Sequence, residues 1–292
     1  MAAGKLATGS ILGLGNPLLD FVCDVDADFL TKWSLPPNSA ILADPVNHDG
    51  LYEDMVKKYG QSVKFIAGGA TQNSIRVVQW MLGQDKVCSY MGCVGDDADG
   101  KRMAGIAEAD GVNVLYMITK EEKTGTCAVC VSDSGKKRSL CAYLGAANKF
   151  KKDHVLQHWD AVEKAKIFYS SGFHLTVSPE SMLEMGKHAS QHADKTYVLN
   201  IGAPFIPEFF SDALLSVLPY TDILFGNETE AQAFAKQQGW SHSLTIREIA
   251  IQISLLPKAN KKDRLIIITQ GADDVIVVKR TAEGHEQVRK EQ

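Results

Sequence analysis

The sequence predicts an α/β protein: a mostly parallel β-sheet covered by helices on both faces, with a small second β-sheet acting as a lid. Short, almost continuous apolar runs alternate with stretches of helical period, which is typical of parallel sheets buried on both faces. Two segments, Phe21–Asp44 and Thr124–Ala147, lack this alternation. The 292 residues, 45% of them hydrophobic, can form one large domain or two modest ones.

Seven apolar runs predict the strands of the main sheet: Ile11–Leu14, Val63–Ile66, Val87–Val94, Ile167–Ser170, Tyr197–Asn200, Ile223–Phe225 and Leu265–Thr269. Seven stretches with helical period lie between them: Leu51–Tyr59, Thr71–Leu82, Lys101–Ala109, Pro179–Ala193, Pro207–Val217, Thr229–Gln238 and Ile246–Leu255. Ligands of such sheets bind at the carboxyl ends of the strands. The polar and glycine residues that follow the strands are therefore the candidate site.

The lid is expected to combine the two irregular segments. Thr124–Ala147 predicts a hairpin with a turn at Asp133-Ser134-Gly135, and Phe21–Asp44 supplies further short apolar pieces. The predicted domains are a large one, 1–17, 47–121 and 148–292, and a lid, 18–46 and 122–147. A lid of this kind would exclude water from a site beneath it.

Charge and cysteine usage limit the function classes. A formal net charge of −4 gives no electrostatic case for nucleic acid or an anionic membrane surface. The only tight cysteine pair, Cys127 and Cys130, lacks the second pair that a zinc site needs, and a strand would place the two thiols on opposite faces. Six reduced cysteines indicate a cytoplasmic protein, with the nucleus as an alternative location. No apolar stretch approaches the ~20 residues of a membrane helix.

Gly68-Gly69 joins a predicted strand to a predicted helix. Two glycines allow a sharp turn and the close approach of another group, and the helix start offers free N–H groups. A plain strand-to-helix turn is the alternative. The polar residues that follow, Thr71 to Ser74, favour a ligand site.

The segment after the first strand, Gly13 to Asp20, resembles a dinucleotide loop, but Leu18 stands where the third glycine is required. A polar pocket built from Asn16 and Asp20 explains it better, because an ionised Asp20 is a pure acceptor suited to sugar hydroxyls. A simple strand-end turn remains the alternative.

Two later strand ends carry weaker signals. Asn227 and Glu230 have the spacing of a helix capping box, and the same pair could hold a hydrated magnesium ion. Thr269 and Gly271 end another strand and could meet a nucleotide. After a predicted strand at Asp274–Lys279 the chain turns and begins a return strand at His285, which suggests a truncated product or fragment.

Five segments together resemble the adenosine kinases, a group within the ribokinase-like carbohydrate kinase family. They occur in order along the chain: Gly15–Asp20, Gly68–Ser74, Thr124–Cys127, Ser178–Ser181 and Asp222–Glu230. The resemblance implies a Rossmann-like αβα sandwich with a β-sheet lid, a monomer, and transfer of the ATP γ-phosphate to the 5′-hydroxyl of adenosine, with Mg²⁺ as cofactor. A related sugar or nucleoside kinase and a non-catalytic nucleoside-binding short form are the alternatives.

The resemblance also implies site residues. The ribose would be held by Asn16, Asp20, Gly68, Gly69 and Asn73. The adenine would be framed by Leu18, Cys127, Leu140, Leu144, Phe173 and Phe205. Arg138 would approach the phosphates; Asn227, Thr269 and Gly271 would lie at the ATP site; Asn227 and Glu230 would organise magnesium, directly or through water.

The sequence departs from the family pattern in one respect that matters for mechanism. The family's Gly-Ala-Gly-Asp segment, whose aspartate takes the proton from the 5′-hydroxyl, is absent from these 292 residues. Asp273 and Asp274 follow the wrong strand and are not assigned that role. We therefore expect no appreciable kinase activity from the chain as written. His174 replaces a common phenylalanine and Gly202 a common serine, which affects details of the base pocket.

Overall fold

The computed structural model describes residues 6–284 and 286–291. Its strands are β1 (Ile11–Leu14), β2 (Leu18–Asp24), β3 (Ala40–Leu42), β4 (Lys64–Gly68), β5 (Cys88–Gly95), β6 (Asn113–Thr119), β7 (Thr126–Ser132), β8 (Lys137–Tyr143), β9 (Ile167–Ser171), β10 (Thr196–Asn200), β11 (Ile223–Asn227), β12 (Arg264–Gln270), β13 (Asp273–Arg280) and β14 (Glu286–Glu291). Its α-helices are α1 (Ala27–Lys32), α2 (Leu51–Tyr59), α3 (Ala70–Leu82), α4 (Ala98–Ala109), α5 (Lys152–Gln157), α6 (Trp159–Lys164), α7 (Pro179–Gln191), α8 (Phe205–Phe209), α9 (Ser211–Val217), α10 (Glu228–Gln237) and α11 (Ile246–Leu255).

The chain divides into two compact units. The first unit comprises Met1–Gly15, Lys86–Ser89 and Lys151–Gln292, and the second comprises Asn16–Asp85 and Tyr90–Phe150. Both predicted lid segments lie entirely in the second unit, which also contains residues 47–85 and 90–121 of the predicted large domain. The predicted domain boundaries themselves stay a prediction.

A mostly parallel sheet forms the centre of the first unit, as the alternating pattern predicts. Seven of its strands follow the order β14-β13-β12-β11-β10-β9-β1. The run from β1 to β12 is parallel, whereas β13 and β14 are antiparallel. The β13–β14 pairing confirms the predicted return strand, although His285 lies outside the described residues.

The second unit contains a five-stranded sheet in the order β3-β8-β7-β2-β4, and β5 is hydrogen-bonded to β6. The β7–β8 pair is the predicted hairpin. One expectation was wrong: the run Val63–Ile66 becomes β4 and pairs antiparallel with β2 instead of joining the parallel sheet. Local hydrophobicity predicts a strand but carries no information about its partner, and here the partner is the segment that the Gly68-Gly69 turn packs against.

One face of the five-stranded sheet forms the core of the second unit. Because strand side chains alternate between faces, Leu19, Phe21 and Cys130 point together into a buried cluster that includes Leu51 and Met55 of α2. Cys127 lies on the other face, which confirms the prediction that the two tight-spaced thiols diverge. All six cysteines are free and buried.

Some elements were missed by the sequence patterns. The short helices α1, α5 and α6 and the strand β6 carry too few residues or too mixed a composition to show a clear period. The predicted helix Pro207–Val217 divides into α8 and α9, with Phe210 in a non-helical conformation between them. Within residues 6–284 and 286–291, no helix has both the length and the apolar character needed to span a membrane.

Candidate functional site

The Gly68-Gly69 turn packs directly against the Asn16–Asp20 segment in the second unit. A Cβ atom at Gly68 would overlap the Asp20 carboxylate, and one at Gly69 would overlap the backbone oxygen of Asn16. Gly69 also has φ +93°, a conformation that side chains with a Cβ rarely adopt. The absence of a side chain at Gly68 and Gly69 therefore allows Asp20 and Asn16 to pack directly against this turn.

Strand register places most predicted lid residues on one sheet face. Asp20 pairs with Cys127, and Leu18 pairs with Gly68. Directly paired residues point to the same side, and every second residue along a strand repeats that side. The face opposite the core therefore carries Leu18, Asp20, Cys127, Leu140 and Arg138.

Leu144 joins this group at the end of the hairpin. A Cβ atom at Gly125 would lie 2.6 Å from the Leu144 backbone oxygen and 2.7 Å from Leu18 Cδ2. Gly125 thus lets the two ends of the hairpin and Leu18 meet. Arg138, by contrast, lies on the exposed part of β8 near the turn, where its backbone N–H donates to Asn38 Oδ1 at 3.1 Å.

The Asp20 carboxyl is the most perturbed acid of this face. Burial raises its pKa to about 7, although the Arg76 guanidinium acts to lower it. Arg76 was not predicted; it lies one helical turn after Asn73, donates to the Ala67 backbone oxygen and pairs with Asp110 at 2.6 Å. A poorly solvated carboxylate gains more from a donated hydrogen bond than a solvated one does. Asp20 is accordingly prepared to accept hydroxyl groups.

Cys127, Asn16 and Asn73 differ from Asp20 in charge, and the two asparagines differ from each other in exposure. Burial raises the pKa of the Cys127 thiol, so this side chain is a neutral apolar surface and not a nucleophile. Asn16 is 8% exposed, whereas Asn73 is exposed in the first turn of α3 and its N–H donates to the Gly69 oxygen. No side chain caps the start of α3. The reason is that its N-cap residue is Gly69, which has no side chain to accept a hydrogen bond from the first turn.

In the first unit, Phe173 and Phe205 lie together, with ring centroids 5.9 Å apart and an interplanar angle of 52°. Phe205 is 39% exposed. A Cβ atom at Gly202 would lie 3.3 Å from the Phe173 ring and 2.8 Å from Ser171 Oγ. Gly202, where a serine is common in the family, therefore leaves room for this ring. His174 is fully buried, and burial lowers its pKa to about 3, so it is neutral.

Asn227 and Glu230 form a complete capping box at the start of α10. Asn227 Oδ1 accepts the Glu230 N–H at 2.9 Å, and Glu230 Oε2 accepts the Asn227 N–H at 3.0 Å. Asn227 Nδ2 donates to Glu230 Oε1 at 3.1 Å, and the Gly202 N–H also donates to this carboxylate. Glu230 is 5% exposed, and its burial raises its pKa.

Each Glu230 oxygen accepts a hydrogen bond within this capping box, and each keeps a further lone pair. The predicted magnesium role, direct or through water, stays a prediction. No group of three or more His, Cys, Asp or Glu residues within the described ranges is arranged to hold a metal ion.

Thr269 lies beside Asn227, since the two residues are partners in the parallel β11–β12 register. Thr269 Oγ1 donates to the Gly226 oxygen at 3.4 Å. Gly271 is exposed with φ +61° in the turn between β12 and β13. Asp273 begins strand β13, which spans Asp273–Arg280 and confirms the predicted strand at Asp274–Lys279.

Comparison with known proteins identifies the family. The pfkB family carbohydrate kinases match residues 41–292. The chain therefore belongs to the pfkB family of carbohydrate kinases.

Within that family it is similar to the adenosine kinases. Adenosine kinase 2 of Arabidopsis thaliana is 49% identical over 280 residues, which cover 95% of this chain and 79% of that protein. Among solved structures, Anopheles gambiae adenosine kinase in complex with a di(adenosine-5) tetraphosphate has a TM-score of 0.85 at 41% identity, covering 98% of this chain and 82% of that one. Schistosoma mansoni adenosine kinase in complex with adenosine has a TM-score of 0.87 at 33% identity, covering 99% and 82%.

Proposed function

We propose that this protein is an adenosine kinase, whose reaction transfers the γ-phosphate of ATP to the 5′-hydroxyl of adenosine and forms AMP. The observation that carries the proposal is the Asp20 carboxylate, half-buried against Gly68 and placed on the same sheet face as Leu18 and Cys127. A sugar needs such an acceptor, and a purine needs such an apolar neighbour. The adenosine kinase relatives support the same substrate.

The ribose is assigned to the polar part of the second unit. Asp20 accepts hydrogen bonds from two sugar hydroxyls, which relieves the cost of holding its charge in a poorly solvated position. Asn16 and Asn73 supply amide groups that can both donate and accept. The backbone at Gly68 and Gly69 has no side chain that would keep the sugar away.

Apolar side chains of the second unit and, considered separately, two aromatic rings of the first unit are the candidates for contact with adenine. Cys127 and Leu140 offer neutral surface, while the Phe173 and Phe205 rings offer flat faces for the base. Burial of a flat base against such surfaces is favourable because it removes apolar area from water.

The phosphates of ATP are assigned to Arg138, Asn227, Thr269 and Gly271. The Arg138 guanidinium is a fixed positive charge on an exposed strand, suited to phosphate oxygens. Mg²⁺, when bound, would neutralise charge on the transferred phosphoryl group. Asn227 and Glu230 would hold it directly or through its water ligands, and the capping box fixes the positions of both side chains.

Calorimetry tests substrate choice. We expect the purified 292-residue chain to bind adenosine in preference to ribose and fructose, and Asp20→Asn to weaken that binding at pH 8. A preference for either sugar would favour a sugar kinase and overturn the substrate assignment.

Phosphoryl transfer is a separate measurement, since the sequence contains no Gly-Ala-Gly-Asp segment to supply the proton acceptor. We expect adenosine binding without AMP formation above a blank that lacks the protein. Turnover well above that blank would show that another residue of the chain serves as the base.

The proposal also covers the cellular location and the oligomeric state of the protein. A cytoplasmic location is supported by six free, buried cysteines, which are typical of reducing compartments. A monomer is expected from the family resemblance, and light scattering of the purified chain would test it.

A further inference from the structure

Thr124 stands at the entrance to the β7–β8 hairpin, two residues before β7 begins. Its side chain is 2% exposed. The hydroxyl donates to Asp97 Oδ1 at 2.6 Å and accepts the Gly95 N–H at 3.0 Å. The Thr124 N–H donates to the other oxygen, Asp97 Oδ2, at 2.7 Å. Thr124 is thus held by three hydrogen bonds, two of them to one carboxylate.

Asp97 is also the N-cap of α4, where Oδ1 accepts the Gly100 N–H at 2.8 Å. Burial opposes its ionisation, but the hydrogen bonds from Thr124 and Gly100 outweigh burial and lower its pKa. The carboxylate is therefore charged at neutral pH. Hydrogen bonds to a charged acceptor are about twice as strong as neutral ones.

Two glycines enclose this contact. A Cβ atom at Gly95 would lie 2.6 Å from Asp97 Oδ2 and 2.7 Å from Thr124 N. A Cβ atom at Gly100 would lie 2.9 Å from Thr124 Oγ1. A larger residue at either glycine would therefore displace Asp97 or Thr124, so both glycines are needed for this contact.

The other end of the hairpin is fastened to the same place. The Ala146 N–H donates to the Lys123 oxygen at 2.7 Å, and a Cβ atom at Gly145 would overlap that oxygen. Lys123 precedes Thr124 directly. Holding Thr124 therefore holds both ends of the hairpin, which carries Cys127, Leu140 and Arg138 on its ligand-facing side.

We propose that Asp97 and Thr124 are positioning residues that fix the β7–β8 hairpin in the arrangement that binds adenosine. This inference rests on the proposed function for its ligand, whereas the anchoring itself rests only on the contacts above. Neither residue touches substrate; both act through the hairpin.

The test uses variants that separate anchoring from folding. Asp97→Asn keeps the N-cap, because asparagine caps helices as well as aspartate does, but its amide nitrogen confronts the Thr124 N–H donor. Thr124→Val removes the hydroxyl at constant shape, and Thr124→Ser retains it. Asp26→Asn, which alters the N-cap aspartate of α1, is the matched control.

Hydrogen exchange of the ligand-free proteins and adenosine affinity are measured together. We expect Asp97→Asn and Thr124→Val to accelerate exchange across residues 126–143 at least tenfold and to raise the adenosine Kd at least tenfold, the change expected from losing one charge-assisted hydrogen bond. Thr124→Ser and Asp26→Asn should stay within about twofold of the wild type. Exchange in β9–β11 should not change.

Unchanged exchange of the hairpin in both disruptive variants would overturn the proposal. Equal acceleration in β9–β11 would also overturn it, since that pattern reports general loss of stability. If the wild-type chain fails to bind adenosine, the proposed function and the ligand part of this inference both fail, while the exchange comparison still decides whether Asp97 and Thr124 anchor the hairpin.

Discussion

Replacing Asp20 by asparagine should change how stability depends on pH. The folded protein raises the Asp20 pKa from 3.8 to about 7, chiefly because the carboxyl is buried. The folded state therefore binds this proton more tightly than the unfolded state does. Between pH about 4 and pH about 7, Asp20 makes the free energy of unfolding fall as pH rises, and above pH about 7 its effect is constant. Asparagine has the same shape and does not titrate.

The size of the effect follows from the shift. One pKa unit corresponds to about 1.4 kcal/mol, so holding Asp20 ionised costs the folded protein at most about 4 kcal/mol at high pH. Part of that cost is already present at pH 5, which leaves about 2–3 kcal/mol between pH 5 and pH 8. Partial solvent access to Asp20 reduces the expected value to about 2 kcal/mol.

Urea denaturation of both proteins at pH 5, 6.5 and 8 measures this quantity. The difference in free energy of unfolding, Asp20→Asn minus wild type, should become more positive by about 2 kcal/mol from pH 5 to pH 8. Other titrating groups are common to both proteins and cancel. A difference that stays constant across this range would refute the assignment of the raised pKa to Asp20.

The pH dependence of adenosine binding should also report the protonation of Asp20. Sugar hydroxyls donate to the ionised carboxylate, so the adenosine Kd of the wild type should rise as pH falls below about 7. The limit is about tenfold per pH unit, and the Asp20→Asn variant should show no such slope. Calorimetric titrations at pH 5.5 and 8 compare the two.

Gly68→Ala should abolish adenosine binding and lower the Tm, because the new methyl group would overlap the Asp20 carboxylate. As a control, Gly105→Ala places a Cβ atom in open space inside α4 and should raise the free energy of unfolding by about 1 kcal/mol in thermal unfolding. Glu230→Gln should cost about 1–2 kcal/mol in urea denaturation, because its amide faces backbone donors at a buried cap. Glu248→Gln in the exposed capping box of α11 should change stability less, and equal losses would contradict the role of burial. Arg264→Met should lower the free energy of unfolding by about 3 kcal/mol, since the buried guanidinium donates to three backbone carbonyls; a change under about 1 kcal/mol would argue against that.

Local patterns in the sequence were enough to predict most elements. Helices α2 and α11 begin and end at the predicted residues, because each has a clear apolar stripe between identifiable caps. The hairpin turn also follows from composition: Asp133, Ser134 and Gly135 all have positive φ, which aspartate, serine and glycine tolerate better than bulkier residues do.

Local patterns could not predict which strands pair with each other or what surrounds a given side chain. The pairing of β4 with β2, and hence the contact of Gly68 with Asp20, joins segments about 50 residues apart, and no local pattern specifies which strands meet. The Arg76 contribution to the Asp20 pKa likewise depends on packing across the unit.

The sequence by itself therefore determined the α/β class and the positions of the glycine turns, because these depend on short-range periodicity and backbone freedom. It also determined the residue types of the proposed sugar site. The tertiary structure alone decided that Gly68 and Gly69 make room for Asn16 and Asp20, and that burial moves the Asp20 pKa toward neutrality. It also decided that Asn227 and Glu230 complete a capping box, and that Asp97 holds Thr124 at the hairpin entrance. Each of these depends on distance and solvent exclusion between segments that are far apart in the chain, and only folding brings those segments together.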